Sequence, residues 1–109
     1  MKTKLFLIAA LTTLASNMVW ADGAALYAEK TCVACHGKEG KKPMLPTFPK
    51  LAGQNAAYIA QQMLDIRSGA RSNSSSAAMK GVMVNPEGDL LVSDADIKEL
   101  AAYLSKLKP

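Results

Sequence analysis

The sequence predicts an all-α domain with three main helices separated by two long loops. Three observations lead there. Apolar residues recur every three or four positions in three segments, the periodicity of a one-sided helix. Outside those three segments no stretch alternates apolar and polar residues over as many as four positions, so no half-buried strand is indicated. Residues 37–54 and 69–92 are rich in Gly, Pro, Lys, Ser and Asn and carry no period of their own. Loops of that length are uncommon in a compact domain unless they wrap something or carry function.

The chain opens on a segment of a different kind. Lys2 and Lys4 precede an almost unbroken apolar run over residues 5–15, and Val19-Trp20-Ala21 places small residues at its last and third-last positions. This is the pattern of a secretory signal peptide with cleavage after Ala21. The sequence thus divides into a leader, 1–21, and a single domain, 22–109. A retained anchor is the competing reading. The uncharged stretch 5–21 is at the lower limit of a membrane span, and Thr12, Thr13, Ser16 and Asn17 dilute it, so no stable anchor is expected after cleavage.

A domain of this size buries a modest fraction of its surface and commonly needs a staple. Trp20 lies in the leader, which leaves Tyr27, Phe48, Tyr58 and Tyr103 as the large rings of the remainder. Such a core is thin unless a bulky apolar group fills it. Of the thirteen Lys and Arg, two belong to the leader, leaving eleven against nine Asp and Glu. That near balance gives no case for nucleic-acid binding. Lys30, Lys38, Lys41, Lys42 and Lys50 crowd the first half, and Glu87, Asp89, Asp94, Asp96 and Glu99 the last quarter. A docking dipole and two ordinary solvated surfaces both fit that distribution.

The first helix is expected over residues 23–31, with Asp22 as its cap and Leu26 and Tyr27 on its apolar side. The second is expected over 55–68. Asn55 can cap it, Tyr58, Ile59, Met63 and Ile66 form its apolar side, and Gly69 can end it. The third has the clearest signal. Ser93 with Asp96 three residues on resembles a capping box, and Ile97, Leu100, Ala101, Leu104 and Leu107 make one stripe.

Two cysteines and the one histidine fall together as Cys32-Val33-Ala34-Cys35-His36. This spacing is that of covalent c-type haem attachment: each thiol adds to one vinyl group, and the following histidine is held under the iron. A disulfide would suit an oxidising compartment, but a redox dithiol site belongs after a strand in a βαβ unit, which is lacking. A structural zinc needs four ligands, and the sequence has three Cys and His in all. One covalently bound haem c is therefore the expected cofactor, wrapped by the two loops.

His36 leaves a sixth iron position, and what fills it separates a closed electron-transfer site from one open to ligands. The sulfur candidates beyond the leader are Met44, Met63, Met79 and Met83. Met44 follows His36 too closely to round the ring, and Met63 lies on the apolar stripe of the second helix, where core filling is its natural role. Met79 and Met83 both lie in the second loop, and spacing does not decide between them. The second nitrogen of His36 needs an acceptor. Pro46 is near enough to offer its carbonyl, and it also suits a plain turn.

Taken together the motifs resemble a class I cytochrome c, closest to the small bacterial cytochrome c-553 and c-4 group. The resemblance covers residues 22–107. It rests on Gly23-x-x-Leu26-Tyr27, Cys32-x-x-Cys35-His36-Gly37, Pro46-Thr-Phe48-Pro49-Lys-Leu51-Ala-Gly53-Gln54 and Tyr58-x-x-x-Gln62-Met-x-Asp65-Ile66-Arg-x-Gly69-x-Arg71. Met79-Lys-Gly81 and Ser93-Asp-x-Asp96-Ile97-x-x-Leu100-Ala-x-Tyr103 complete it. It implies a first and last helix crossing near Gly23 and Tyr103, Met79 as the distal iron ligand, Met83 as a haem-packing neighbour, and Pro46 as the source of the carbonyl bonded to His36. The Lys41-Lys42-Pro43 loop and the Gly/Pro turn within 85–91 depart from that pattern.

The resemblance further implies a periplasmic, monomeric electron carrier working between a redox donor and a redox acceptor protein. No Ser/His/Asp set or phosphate-binding loop supports bond-making catalysis. An electron-transfer subunit of a larger oxidoreductase complex, and a haem enzyme or sensor with an open distal site, are the alternatives.

Overall fold

The computed structural model describes residues 22–109, so the expected signal peptide lies outside the described residues. The described residues are helical as expected, with five α-helices rather than three: α1 (Gly23–Glu29), α2 (Cys32–His36), α3 (Ala56–Ser68), α4 (Ser76–Met83) and α5 (Asp94–Lys106). Among the described residues there is no strand, only an isolated bridge between Val84 and Leu90.

Capping fixes where the long helices start. Asp22 accepts from the Ala24 N–H, and Asn55 accepts from that of Tyr58 at 3.0 Å. At α5 the box is reciprocal: Ser93 Oγ takes the Asp96 N–H at 3.1 Å, and Asp96 takes the Ser93 N–H at 3.0 Å. Each pair satisfies donors that a helix start leaves orphaned. Gly69, at φ 88°, ends α3 in the left-handed conformation that a Cβ disfavours.

The first helix stops earlier than its apolar pattern suggests. Lys30 closes it, and Thr31 turns left-handed at φ 64°, so Cys32–His36 becomes a separate single turn. The second loop, irregular by its composition, holds a helix. Ala77, Ala78 and Met79 favour a helix, and Met83 buries its side chain as the anchor. Met79 and Met83 thus ride on α4, four residues and about one turn apart on one face.

The core is continuous. Leu26 and Tyr27 of α1, Ile59, Met63 and Ile66 of α3, and Ile97, Leu100, Ala101 and Leu104 of α5 are buried together with Met83 and Val92. Each large aliphatic contributes roughly 1.5–3 kcal/mol of burial. Helices α1 and α5 cross where an added Cβ on Gly23 would meet Tyr103 Cβ at 2.3 Å and the Glu99 carbonyl at 2.8 Å, as the resemblance implies. Arg67 joins α3 to the start of α5 through the Val92 carbonyl at 3.0 Å and the Asp94 carboxylate. The loop after α2 is tied back by Leu51 N–H on Gly40 and by Gly53 N–H on Leu104 at 2.9 Å. These ties leave one face of the α1–α3–α5 core open to a cavity.

Candidate haem site

Helix α2 is five residues long, and that length shapes the site. Positions three and four apart on one turn place Cys32, Cys35 and His36 along the same side. Gly37 ends the turn at φ 78°, and a Cβ there would stand 2.0 Å from the Lys42 carbonyl oxygen, so the following loop folds directly over it. The Met44 N–H donates to the Cys35 carbonyl at 2.9 Å, and the Tyr27 hydroxyl donates to that of Gly37 at 2.5 Å. Burial pushes the Tyr27 phenol up to about 12. The two cysteines are not paired with each other in a disulfide, and each is half-buried.

His36 is buried, and its Nδ1 lies 3.0 Å from the Pro49 carbonyl oxygen. Since a carbonyl only accepts, Nδ1 carries the proton and Nε2 keeps its lone pair free for a metal. The acceptor is therefore Pro49 and not Pro46, a correction to the sequence reading. The reason is local. The Phe48 N–H closes on the Leu45 carbonyl at 3.0 Å, which sets Pro46 in the second position of a tight turn. Pro46 is exposed and does not border the cavity, whereas Thr47, Phe48 and Pro49 do. The Phe48 ring stands 6.4 Å from the imidazole, tilted by 45°. Pro49 and Phe48 both stood in the sequence motif, but nothing in it says which proline carbonyl turns inward.

The cavity beside this turn measures about 310 Å³. Cys32, Cys35 and His36 border it from α2, Ile59, Met63 and Ile66 from α3, and Met79 and Met83 from α4. Val92, Leu100 and Leu104 supply its apolar floor. The two α4 methionines differ in standing. Met83 is 2% exposed and locked into the core, whereas Met79 is only partly buried and packs against the edge of that core. Five of the six site residues expected from sequence border one cavity, and Pro46 stands apart.

The donor set fits a haem: two thiols, an imidazole with Nε2 available, and a thioether, around an apolar space. Among the described residues no three His, Cys, Asp or Glu side chains converge as a bare-ion site would require. Together, helical fold and site define a c-type haem protein.

A family model for cytochrome c matches residues 20–108, and the chain belongs to the cytochrome c family, electron-transfer proteins that carry covalent haem c. It is 42% identical over 77 residues to cytochrome c4 of Pseudomonas aeruginosa, covering 71% of this chain and 33% of that protein. Cytochrome c-553 of Nitratidesulfovibrio vulgaris is 33% identical over 99 residues, covering 91% and 89%. A thiosulfate dehydrogenase electron acceptor of Thiomonas intermedia is 40% identical over 79 residues, covering 72% and 32%. The chain thus spans about a third of the length of the cytochromes c4 it matches.

Proposed function

We propose that this chain is a periplasmic monohaem cytochrome that carries single electrons between a donor and an acceptor protein, with His36 and Met79 as axial ligands. The observation that carries it is the pairing of a buried imidazole, oriented by Pro49, with a methionine helix bordering the same apolar cavity. A haem bound there supplies an iron that changes between ferrous and ferric without any bond to substrate being made.

The residues of the chain do the rest. Cys32 and Cys35 hold the cofactor covalently, so it is not lost on either redox change. Pro49 fixes the tautomer and ring plane of His36, which keeps the ligand in place in both oxidation states. Ile59, Met63, Ile66, Leu100 and Leu104 exclude water from the iron's surroundings and so favour the less charged state. Met79 is the ligand because its side chain is not consumed by the core, and Met83 packs behind it. The name of the Thiomonas relative supports an electron-delivering oxidoreductase as one class of partner. Among the described residues no helix is long and apolar enough to cross a membrane, in keeping with an exported domain freed of residues 1–21.

The test is spectroscopic. The oxidised protein is expected to show the weak far-red band of thioether-to-iron ligation. Met79→Ala removes the band and lowers the reduction potential, while Met83→Ala keeps it. High-spin ferric haem in the parent, or loss of the band in Met83→Ala alone, would overturn the assignment. Mature protein from the periplasm is expected to begin at Asp22.

A further inference from the structure

We infer that Arg71 is the positioning residue for the carboxylate edge of the haem, holding one of its carboxylates ionised and in place; this rests on reading the cavity as the haem pocket. The observation is a contrast between two arginines four residues apart. Arg67 does not border the cavity and is matched, to the Val92 carbonyl and to the Asp94 carboxylate. Arg71 borders the cavity and is partly buried. Its Nη1 donates to Gln62 Oε1 at 3.0 Å, and among the described residues no carboxylate pairs with it. Asp65 is near in sequence, but its carboxylate accepts from Gln61 Nε2 at 2.8 Å.

A guanidinium stays charged at every accessible pH and carries five donors in a planar fork. Partly burying it with one neutral acceptor is costly unless an anion completes the site. Among the described residues no Asp or Glu borders the cavity. The haem itself brings two carboxylates, on the edge of the porphyrin remote from the vinyl groups that take the thiols. Among the described residues three cations border the cavity, and one of them suits that edge. Lys30 lies two residues before Cys32, on the thiol side, and Lys50 is exposed beside Pro49. Arg71 comes from a separate wall, the segment after α3. Its backbone is fixed there by the left-handed turn at Gly69 and by its own N–H on the Asp65 carbonyl at 2.9 Å. A planar fork so held matches a carboxylate through two parallel hydrogen bonds.

A carboxylate paired in this way is held ionised across the neutral range. The midpoint potential of the haem protein is then independent of pH between about pH 5 and 8. Tyr27, Tyr58, Lys30 and Lys50 also border the cavity, and Cys32, Cys35 and His36 border it as the groups that would hold the haem. The experiment compares the loaded parent with Arg71→Gln, Arg71→Lys and Lys50→Gln. Its readouts are the potential-against-pH profile and the carboxylate vibrational bands of the haem.

Arg71→Gln is expected to raise the proton affinity of the carboxylate about tenfold, one pKa unit, and bring a slope into the window. Arg71→Lys restores most of the flat profile, and Lys50→Gln stays flat. A flat profile in Arg71→Gln, even with a lowered melting temperature, overturns the assignment and leaves Arg71 a merely structural residue. So does a slope that appears in Lys50→Gln instead. If the parent binds no haem, the proposed function itself fails; a normal parent spectrum with a flat Arg71→Gln profile sinks the arginine's role alone.

Discussion

Replacing Gly23 by Ala tests how closely α1 and α5 must approach for the haem-bearing half of the molecule to stay in register. The new Cβ would stand 2.3 Å from Tyr103 Cβ and 2.8 Å from the Glu99 carbonyl oxygen, where ordinary contact begins at 3.4 Å. Neither neighbour is the free end of a side chain. Helix α1 must therefore ride off α5 by about 1 Å, in a core too dense to absorb it. That motion lifts Leu26 and Tyr27 from the buried face of α5.

Overpacking of this kind costs roughly 1–3 kcal/mol, against an intrinsic gain of about 0.5–1 kcal/mol for Ala over Gly in a helix. Gly81, inside α4, supplies the control. A Cβ there meets nothing within 4 Å, so only the intrinsic gain operates. With about 4–8 °C per kcal/mol for a domain this small, Gly23→Ala should melt about 5–15 °C lower and Gly81→Ala a few degrees higher. Thermal unfolding of the haem-loaded proteins by circular dichroism reads both. Equal shifts of one sign, or a Gly23→Ala protein melting at or above the parent, would refute the close-approach argument.

Two further outcomes follow from particular contacts. Tyr27 has its phenol raised from 10.0 to about 12 by burial, so its contribution to stability is whole below pH 10.0 and is lost as the pH climbs towards about 12. Melting temperatures recorded across that interval should fall in the parent more than in Tyr27→Phe, which at neutral pH gives up about 1 kcal/mol for the lost hydrogen bond to Gly37. Ser93→Ala should cost about 1 kcal/mol, since it removes the acceptor of the Asp96 N–H. Denaturant unfolding at unchanged m-value checks it, and an unaltered midpoint would show the box to be incidental.

What could be read from the sequence was whatever leaves a local mark. Asn55, Gly69 and the Ser93–Asp96 pair announce helix ends because capping is chemistry between neighbours. Cys32, Cys35 and His36 announce the haem because the spacing itself is the constraint. Helix α2 was illegible because one turn is too short to show a period, and the left-handed Thr31 that isolates it is a β-branched residue that ordinarily avoids φ 64°. Helix α4 was masked by Ser72, Ser74 and Ser75 ahead of it and by Gly81 within it. The choice between Pro46 and Pro49 was illegible for a deeper reason. Both offer a carbonyl in the same loop, and the turn closed by Phe48 on Leu45 decides which one meets His36.

The left-handed residues on either side of the attachment turn, Thr31 at φ 64° and Gly37 at φ 78°, have a consequence for how such a site can be moved and varied. They interrupt the helical hydrogen-bond register before Cys32 and after His36, so the turn does not simply continue α1 and takes its aim from the contacts that reach it from outside, the Tyr27 hydroxyl on Gly37 and the Met44 N–H on Cys35. The turn behaves as a mechanical cartridge between two swivels. Its bearings are held from both sides, by Tyr27 upstream and by the Pro49 carbonyl in the loop downstream, so a change in either neighbour reaches the site through a single nameable contact.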